Sequence, residues 1–551
     1  MIGVVCPESQ RDFVIEFFEF FKTPWEFYRG ERSYDVLLAT EVPPRGVEAK
    51  LLVTYGLAGH VKRITSNSDQ SREAYLEYDN TIFPVYGRIA LIDSQGPALL
   101  RLRGSGGTVA VDETSHRMRV IRVGFDLFEE VRFLLTSGQP ERNARIPALE
   151  IHISMLRNWI VQSGIPLVEI PPIPSGHEFI VCLTHDVDFI RFRDHKFDHT
   201  TWGFLRRASL DSLLKAARGR MSLKKCFTNL KAAFSLPAVY LGICKDFWLE
   251  DFQRFVELED NLKSTFFFIP YKNVPGDRVD KPHSERRAAA YDVSEEQPLL
   301  HHLMFAGHEV GLHGIDAWHS VEKGVAEFNR IEEATGTPPI GVRMHWLCFD
   351  DTSPQKLEEA GFHYDSTVGY NNAIGYRAGT SQVFRPSGAI NLLELPLHIQ
   401  DTALFYASNM DLTEDEAWKL CDELIQNAIT YSGVLTVLWH TRSLAPERLW
   451  EDFYTRLLEA LKARNAWFAT ASQVVEWFRA RRSFSFGQVD LNADSIRVAT
   501  KSGFRGSVVP NLIIRTHWPN INRDLRTQRF TDVTWTGEHL IDIPVPQFAQ
   551  V

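Results

Sequence analysis

Between residue 178 and about residue 480, short β-branched or aromatic runs alternate with stretches of helical period, and no other feature narrows the fold as much. The runs are Phe179 to Leu183, Ser264 to Ile269, Glu309 to His313, Leu392 to Leu395 and Leu435 to Trp439. Helix-patterned stretches among them include Trp248 to Leu262, Val321 to Thr335, Ser353 to Ala360 and Glu416 to Ile429. Strands joined through helices pair in parallel, so the alternation predicts a parallel sheet or barrel. Chemistry is then expected on the loops that follow the strands. Immediately upstream, Pro171-Pro172-Ile173-Pro174-Ser175-Gly176 can continue neither a helix nor a central strand, because proline fixes φ and lacks a donor; a boundary is expected there.

The remainder divides around this region. Residues 1–150 begin with an apolar run (Ile2 to Cys6), a helical pattern (Gln10 to Phe21) and a second run (Asp35 to Thr40), which predicts an N-terminal α/β domain. From Thr81 to about Leu135, apolar runs punctuated by turn signals such as Gly104-Ser105-Gly106-Gly107 read as hairpins. Residues 151–177 form a linker helix and the Pro-rich linker, and 483–551, with runs such as Ser507 to Thr516, a small β-rich C-terminal domain. A length of 551 residues suits several domains, and a formal net charge of -10 opposes nucleic-acid binding, which needs clustered cations. The six cysteines are scattered without a C-x-x-C pair, so neither a zinc ribbon nor a disulfide framework is expected. With no basic leader-like start and no long apolar run, a reduced, cytoplasmic setting is expected.

Four strand ends carry the chemistry. Thr184-His185-Asp186-Val187-Asp188 closes an apolar strand with two carboxylates two positions apart, which share a face because side chains alternate. Two like charges placed together call for a cation, with one Asp as ligand and the other as proton acceptor. Gly307-His308-Glu309-Val310-Gly311-Leu312-His313 runs into a loop that holds Asp316, Trp318 and His319. It is no H-E-x-x-H zincin helix, since His308 and His313 lie five apart on a segment containing Gly311. His313 and His319 are candidate ligands beside Asp188, a donor set suited to zinc or a similar divalent metal. Arg343 ends the run Gly341-Val342-Arg343 before His345 and Trp346, where it can pair with Asp186. His440 follows Val434 to Trp439 and is a candidate general acid. Trp318, Trp346 and Trp439 are candidate sugar platforms.

In this order, the Asp pair, the G-H-E-V-G-x-H strand, the strand-ending Arg and the late L-x-H resemble the polysaccharide deacetylase family, the NodB-homology carbohydrate esterases, in a D-V-D branch. The resemblance spans about residues 178–480. It implies a distorted (β/α)7-type barrel that removes an N-acetyl group from an amino sugar. It also implies Asp186 as base, Asp188 and His313 as metal ligands, Arg343 as the residue orienting the base, and His440 as acid. The metal would activate the attacking water and stabilise the oxyanion, and His440 would protonate the leaving amine. Leu393 to Asp401 resembles a strand carrying a site carboxylate, which makes Asp401 a candidate. The chain departs from the family pattern at Ala317, with the next histidine at His319, so the third ligand is His319 or Asp316. It departs again at His345 and at His185, where the family often has proline and phenylalanine, and both are candidates to reshape the substrate pocket.

Residues 190–245 form a long insertion after the Asp pair. Within 206–231 lie Arg206, Arg207, Lys215, Arg218, Arg220, Lys224, Lys225 and Lys231 against a single acid, Asp211, with Leu210, Leu213, Leu214 and Ala217 at helical spacing. That pattern fits a helix packed on the barrel with a solvated basic side, or a peripheral membrane contact that meets a lipid-linked sugar. The leading expectation is a metal-dependent deacetylase acting on a surface polysaccharide or its precursor. The alternatives are an amidase acting on another C–N bond and a catalytically silent carbohydrate-binding or assembly protein.

Overall fold

The computed structural model describes residues 1–56, 63–64, 73–114, 118–277, 284–336, 340–492, 494–503, 510–519 and 529–546. It divides into two compact units: one comprises 1–176, 376–384 and 476–551, and the other 177–375 and 385–475. The chain passes from one to the other at the end of the proline-rich segment, between Gly176 and His177.

The second unit is built on a parallel sheet of strands β1 (Phe179–Val187), β2 (Ser264–Phe268), β3 (Glu309–Gly314), β4 (Val342–Met344), β5 (Tyr364–Asp365), β6 (Leu393–Glu394), β7 (Ile399–Gln400) and β8 (Val434–Leu438). A further strand, β9 (Ala466–Phe468), pairs the start of β1. The order is β6-β5-β4-β3-β2-β1-β8-β7. Every residue of β1 is buried, which accounts for the near-continuous apolar run: helices cover a parallel sheet's outer face and side chains fill the inner one.

The two ends of this sheet belong to one stretch of chain. Leu393 and Glu394 pair with β5, and five residues later Ile399 and Gln400 pair with β8. Between them Leu395 donates to Asp365 O and His398 to Thr436 O, so a single extended segment bonds both edges and curls the sheet round. Gly311, on β3, permits this tight curl, because a Cβ there would meet the Phe267 ring at 2.9 Å.

The helices have local causes. Val321–Thr335 starts at Ser320, whose side chain accepts from Lys323 N, and stops at Gly336 with φ of 70°. Glu414–Tyr431 opens with a capping box between Thr413 and Glu416. The insertion forms a helix over His199–Arg206, a π-helical turn over Arg207–Asp211, a short helix over Ser212–Ala217 and an 18-residue helix over Leu223–Tyr240.

In the first unit a nine-stranded sheet begins with parallel neighbours, among them Ile2–Val5, Val36–Ala39 and Leu51–Tyr55, and continues as antiparallel pairs through Ala98–Leu102 and Thr81–Val85. Gly104 to Gly107 turn the chain between Ala98–Leu102 and Thr108–Asp112. The hairpin pattern expected up to Leu135 ends earlier. Leu127–Thr136 is a helix, because Asp126 accepts from the backbone N–H of Phe128 and Glu129 while Leu127, Phe128, Val131 and Leu134 bury one face. Near the end of the chain, Ile513–Trp518 pairs antiparallel with Leu167–Glu169, and Phe484–Leu491 with Ser495–Ser502. Of the run Ser507 to Thr516, residues 507–509 lie outside the described residues.

Candidate metal and catalytic site

Alternation along β1 sorts its polar residues. Thr184 and Asp186 turn to one face, where Arg343 donates to Thr184 Oγ1 at 2.7 Å and to Asp186 Oδ1 at 3.1 Å. Asp188 follows in phase, just past the strand end. His185, one step out of phase, lies on the other face, fully buried, with Nε2 2.8 Å from Glu259 and Nδ1 2.8 Å from Trp439 O. It braces the sheet against the Phe255 and Tyr454 rings and has no part in the pocket. His308 is likewise structural, with Nδ1 2.8 Å from Ser264 Oγ.

On the inner face five imidazole and carboxylate groups converge. Asp188 Oδ1 lies 3.5 Å from His313 Nε2 at the end of β3 and 3.4 Å from His345 Nε2 just beyond β4. His313 Nε2 is also 3.7 Å from Asp186 Oδ2, and His440 Nε2 is 3.9 Å from Asp188 Oδ2. Asp188, His313 and His345 each offer a donor atom within 4.8 Å of the others. Asp188 Oδ1 is buried with no hydrogen-bond donor. A buried carboxylate oxygen facing two imidazole nitrogens is costly unless a cation joins them, so the donor set fits a divalent metal. The charge states agree. Burial opposes charge on Asp188, but the neighbouring histidines, His313 foremost, outweigh it and hold the carboxyl well below the usual range. Burial drives His345 well below the usual imidazole value, leaving it neutral as a ligand must be.

The backbone at His345 is unusual. Trp346 and Leu347 both take left-handed φ, 62° and 51°, a conformation that side chains with a Cβ seldom hold. Arg287 donates to the carbonyl of His345 at 3.3 Å and Asn371 to that of Trp346 at 3.0 Å, so the turn is fastened from two sides. Strain at the residue following a site histidine is where backbone strain tends to accumulate.

Arg343 is fully buried. Its remaining donors reach Ser366 O at 3.0 Å and Ser366 Oγ at 2.8 Å, and its plane lies 4.7 Å from the Phe267 ring, which fixes the guanidinium that faces Asp186. His440 is held from behind. Asp401 accepts from its backbone N–H at 2.8 Å, lies 2.7 Å from Nδ1, and also accepts from Ser443. Burial disfavours the imidazolium, yet the carboxylates of Asp401, Asp188 and Asp186 outweigh it and lift His440 to about 9.

The structure thus brings Asp186, Asp188, His313, Arg343 and His440 together and adds His345, which the sequence analysis had placed among the pocket residues. His319 is not brought to Asp188. It faces Asp316 Oδ1 at 3.4 Å and Asp277 Oδ2 at 3.7 Å, in a second cluster where Lys323 already bridges both carboxylates at 2.9 and 2.5 Å. The loop beyond β3 is pulled that way because Glu327 accepts from the backbone N–H groups of Ile315 and Asp316. Asp401 is fully buried behind His440 and positions that ring, so it has no surface for a sugar. Trp439 is fully buried, stacked on Phe453 and Tyr454, and belongs to the core. Trp318 is nearly buried beside His319, and of the three tryptophans only Trp346 keeps substantial exposure, 37%. The signal that could have assigned His345 was present: it stands two residues past Arg343, hence on the same face.

No family model matches the chain, and no curated protein does. Solved structures similar to it include polysaccharide deacetylases and family 4 carbohydrate esterases, and also an allantoinase and a GH57 branching enzyme. A Mycobacterium smegmatis structure described as a polysaccharide deacetylase is 19% identical, over 57% of this chain and 96% of its own, with a TM-score of 0.36. Another, from Pseudomonas aeruginosa, is 13% identical over 58% and 97%, with a TM-score of 0.35. A family 4 acetyl xylan esterase from Clostridium thermocellum is 15% identical over 54% and 90%, with a TM-score of 0.22.

Proposed function

We propose that the chain is a metal-dependent carbohydrate deacetylase that removes an N-acyl group from an amino sugar of a surface polysaccharide or its precursor. The observation that carries this reading is the convergence, at one end of β1, β3, β4 and β8, of an Asp–His–His donor set with a second carboxylate and a histidine that the metal set does not use. The catalytic unit is read as a (β/α)7-type barrel, with the Leu393 to Gln400 segment counted as one stave because it bonds both neighbours.

Asp188, His313 and His345 would hold the metal. A divalent ion there, most simply zinc, would supply a Lewis acid that polarises an acyl oxygen and acidifies a water. Asp186 accepts the proton of the attacking water. Arg343, whose own position Ser366 and Thr184 fix, donates to it and turns it towards the pocket. His440, protonated and aimed by Asp401, donates a proton to the leaving amine. The pair Asp186 and His440 thus divides base and acid between two groups, as hydrolysis of an amide requires. A silent binding protein needs neither, which disfavours that alternative. An amidase for another C–N bond would use the same groups and differs only in what the pocket accepts.

The test is Asp186→Asn. Acetate release from N-acetylated amino sugars and their oligomers is measured together with bound metal by elemental analysis. The reading expects turnover to fall by about 10² or more while metal content is unchanged. Wild-type protein that binds metal yet releases no acetate from any such sugar, and does hydrolyse a non-sugar amide, would transfer the assignment to the amidase.

A further inference from the structure

We propose that the helical insertion after β1 is a docking surface for an anionic lipid bilayer, which it meets with an exposed apolar stripe bordered by unpaired cations.

The helix Leu223–Tyr240 has two apolar sides. Its inner side places Ala232 and Leu236 in a core with Phe192, Phe204 and Trp248. Its outer side should then be polar, as on any surface helix. Instead Leu223, Phe227 and Phe234 are 81%, 72% and 84% exposed, and their spacings of four and seven residues align them along one line. The helix His199–Arg206, the π-turn and the short helix Ser212–Ala217 carry further exposed apolar side chains, Trp202, Leu210 and Leu214. Of the twenty large exposed apolar side chains among the described residues, ten fall between Phe197 and Ile243. Scattered single exposures are ordinary, but this concentration is not.

The charges separate in the same way. Arg207 pairs with Glu447, Arg220 with Asp411, and Lys225 with Glu414 and Asp452, all carboxylates of the barrel side. Lys215, Arg218, Lys224 and Lys231 are exposed and have no carboxylate partner among the described residues. Lys224 and Lys231 border the Leu223 and Phe227 stripe on the same helix. Aromatic and aliphatic side chains flanked by free lysine and arginine complement a bilayer surface: rings enter the headgroup boundary while ammonium groups meet lipid phosphates. A protein partner of this chemistry would need its own acidic rim around an apolar groove. A second copy of the chain brings the same cations and would be repelled.

Placement gives the surface a use. The insertion leaves the sheet directly after Asp188, so it emerges at the end of β1 where the site lies. A docked hairpin would hold that end beside the membrane, where a sugar linked to lipid is presented. The docking does not depend on the hydrolytic reading and is tested apart from it.

Full-length protein is sedimented with vesicles of phosphatidylcholine alone and of phosphatidylcholine mixed with phosphatidylglycerol. The proposal expects partition onto the mixed vesicles only, weakened roughly tenfold by raised salt. The double variant K224E/K231E and the triple variant L223S/F227S/F234S should each lose about tenfold or more, with unchanged circular dichroism because the replaced side chains are exposed. No partition onto phosphatidylglycerol vesicles would overturn it, as would equal binding by the variants. So would light scattering that shows a dimer which the triple variant converts to monomer, since a second copy would then cover the stripe.

Discussion

Replacing His345 with alanine separates the donor set that the structure brings together from the one expected on sequence grounds. His345 Nε2 lies 3.4 Å from Asp188 Oδ1, whereas His319 sits in the Asp277–Asp316–Lys323 cluster. Loss of an outer-sphere partner typically weakens a protein metal site by 10- to 100-fold, so losing a direct ligand should cost about 100-fold or more. Under zinc at about a thousand times its Kd, binding adds about 4.1 kcal/mol to the folded state. After a hundredfold loss the same zinc adds about 1.4 kcal/mol, a difference of about 2.7 kcal/mol. For a unit of this size, with an unfolding entropy of about 2.1 cal/mol/K per residue, that corresponds to a fall of roughly 4 °C in the zinc-dependent part of Tm. The assay is thermal unfolding of wild type, His345→Ala and His319→Ala with chelator and with zinc, alongside elemental analysis after dialysis. His345→Ala should lose bound zinc and the zinc-dependent rise, and His319→Ala should keep both. The opposite pattern, with His319→Ala apo and His345→Ala fully loaded, would refute the geometric assignment.

Asp401→Asn should reduce turnover by something of order 10³-fold with zinc content unchanged, because an amide N–H facing Nδ1 favours the wrong tautomer of His440; steady-state kinetics with metal analysis checks it. Arg343→Met should destabilise the fold by about 3 to 5 kcal/mol in urea titration, since it leaves buried Asp186 without its guanidinium. Glu150, in the first unit, gives a pH dependence remote from the site. Burial pushes its carboxyl up to about 7, against the hydrogen bonds it accepts from Thr380 and Ser381. A folded-state value above the unfolded one means stability present at low pH and lost as pH rises through about 7. Between pH 5.5 and 8 that loss is about 2 kcal/mol, and urea titration at the two pH values should show Glu150→Gln removing that much of the stability difference.

How much of this was legible in the sequence follows from which interactions are local. The parallel region showed itself because β1, β2, β3 and β8 are buried on both faces and therefore read as apolar runs, and because Val321–Thr335 carries its own cap and stop. β5 and β6 are two residues each, too short to make a pattern. The closure through Leu393 to Gln400 depends on pairing with two strands far apart in sequence, which no local signal encodes. Period-two alternation sufficed to put Asp186 and Asp188 on one face, and it would also have excluded His185 and selected His345. The third donor read along the chain after β3 is His319, whereas the donor that the structure places beside Asp188 is His345, just past the next strand. What directs His319 elsewhere is Glu327, whose bonds to two backbone N–H groups set the course of the loop.

The tryptophans and Asp401 show the converse limit. Trp439 follows β8 directly and immediately precedes a site histidine, so adjacency suggested a sugar platform, but alternation turns it outward while His440 turns in. Between Phe453 and Tyr454 it anchors the same strand end that presents His440. Asp401 is the counterpart on the next stave: it directly follows β7, which pairs parallel with β8, and its carboxylate reaches across to both the ring and the backbone N–H of His440. The acid's orientation is therefore a product of sheet register. Moving β7 by one residue against β8 would reverse every side chain on it and withdraw the carboxylate from the imidazole, which ties the closure of the sheet to the chemistry at its rim.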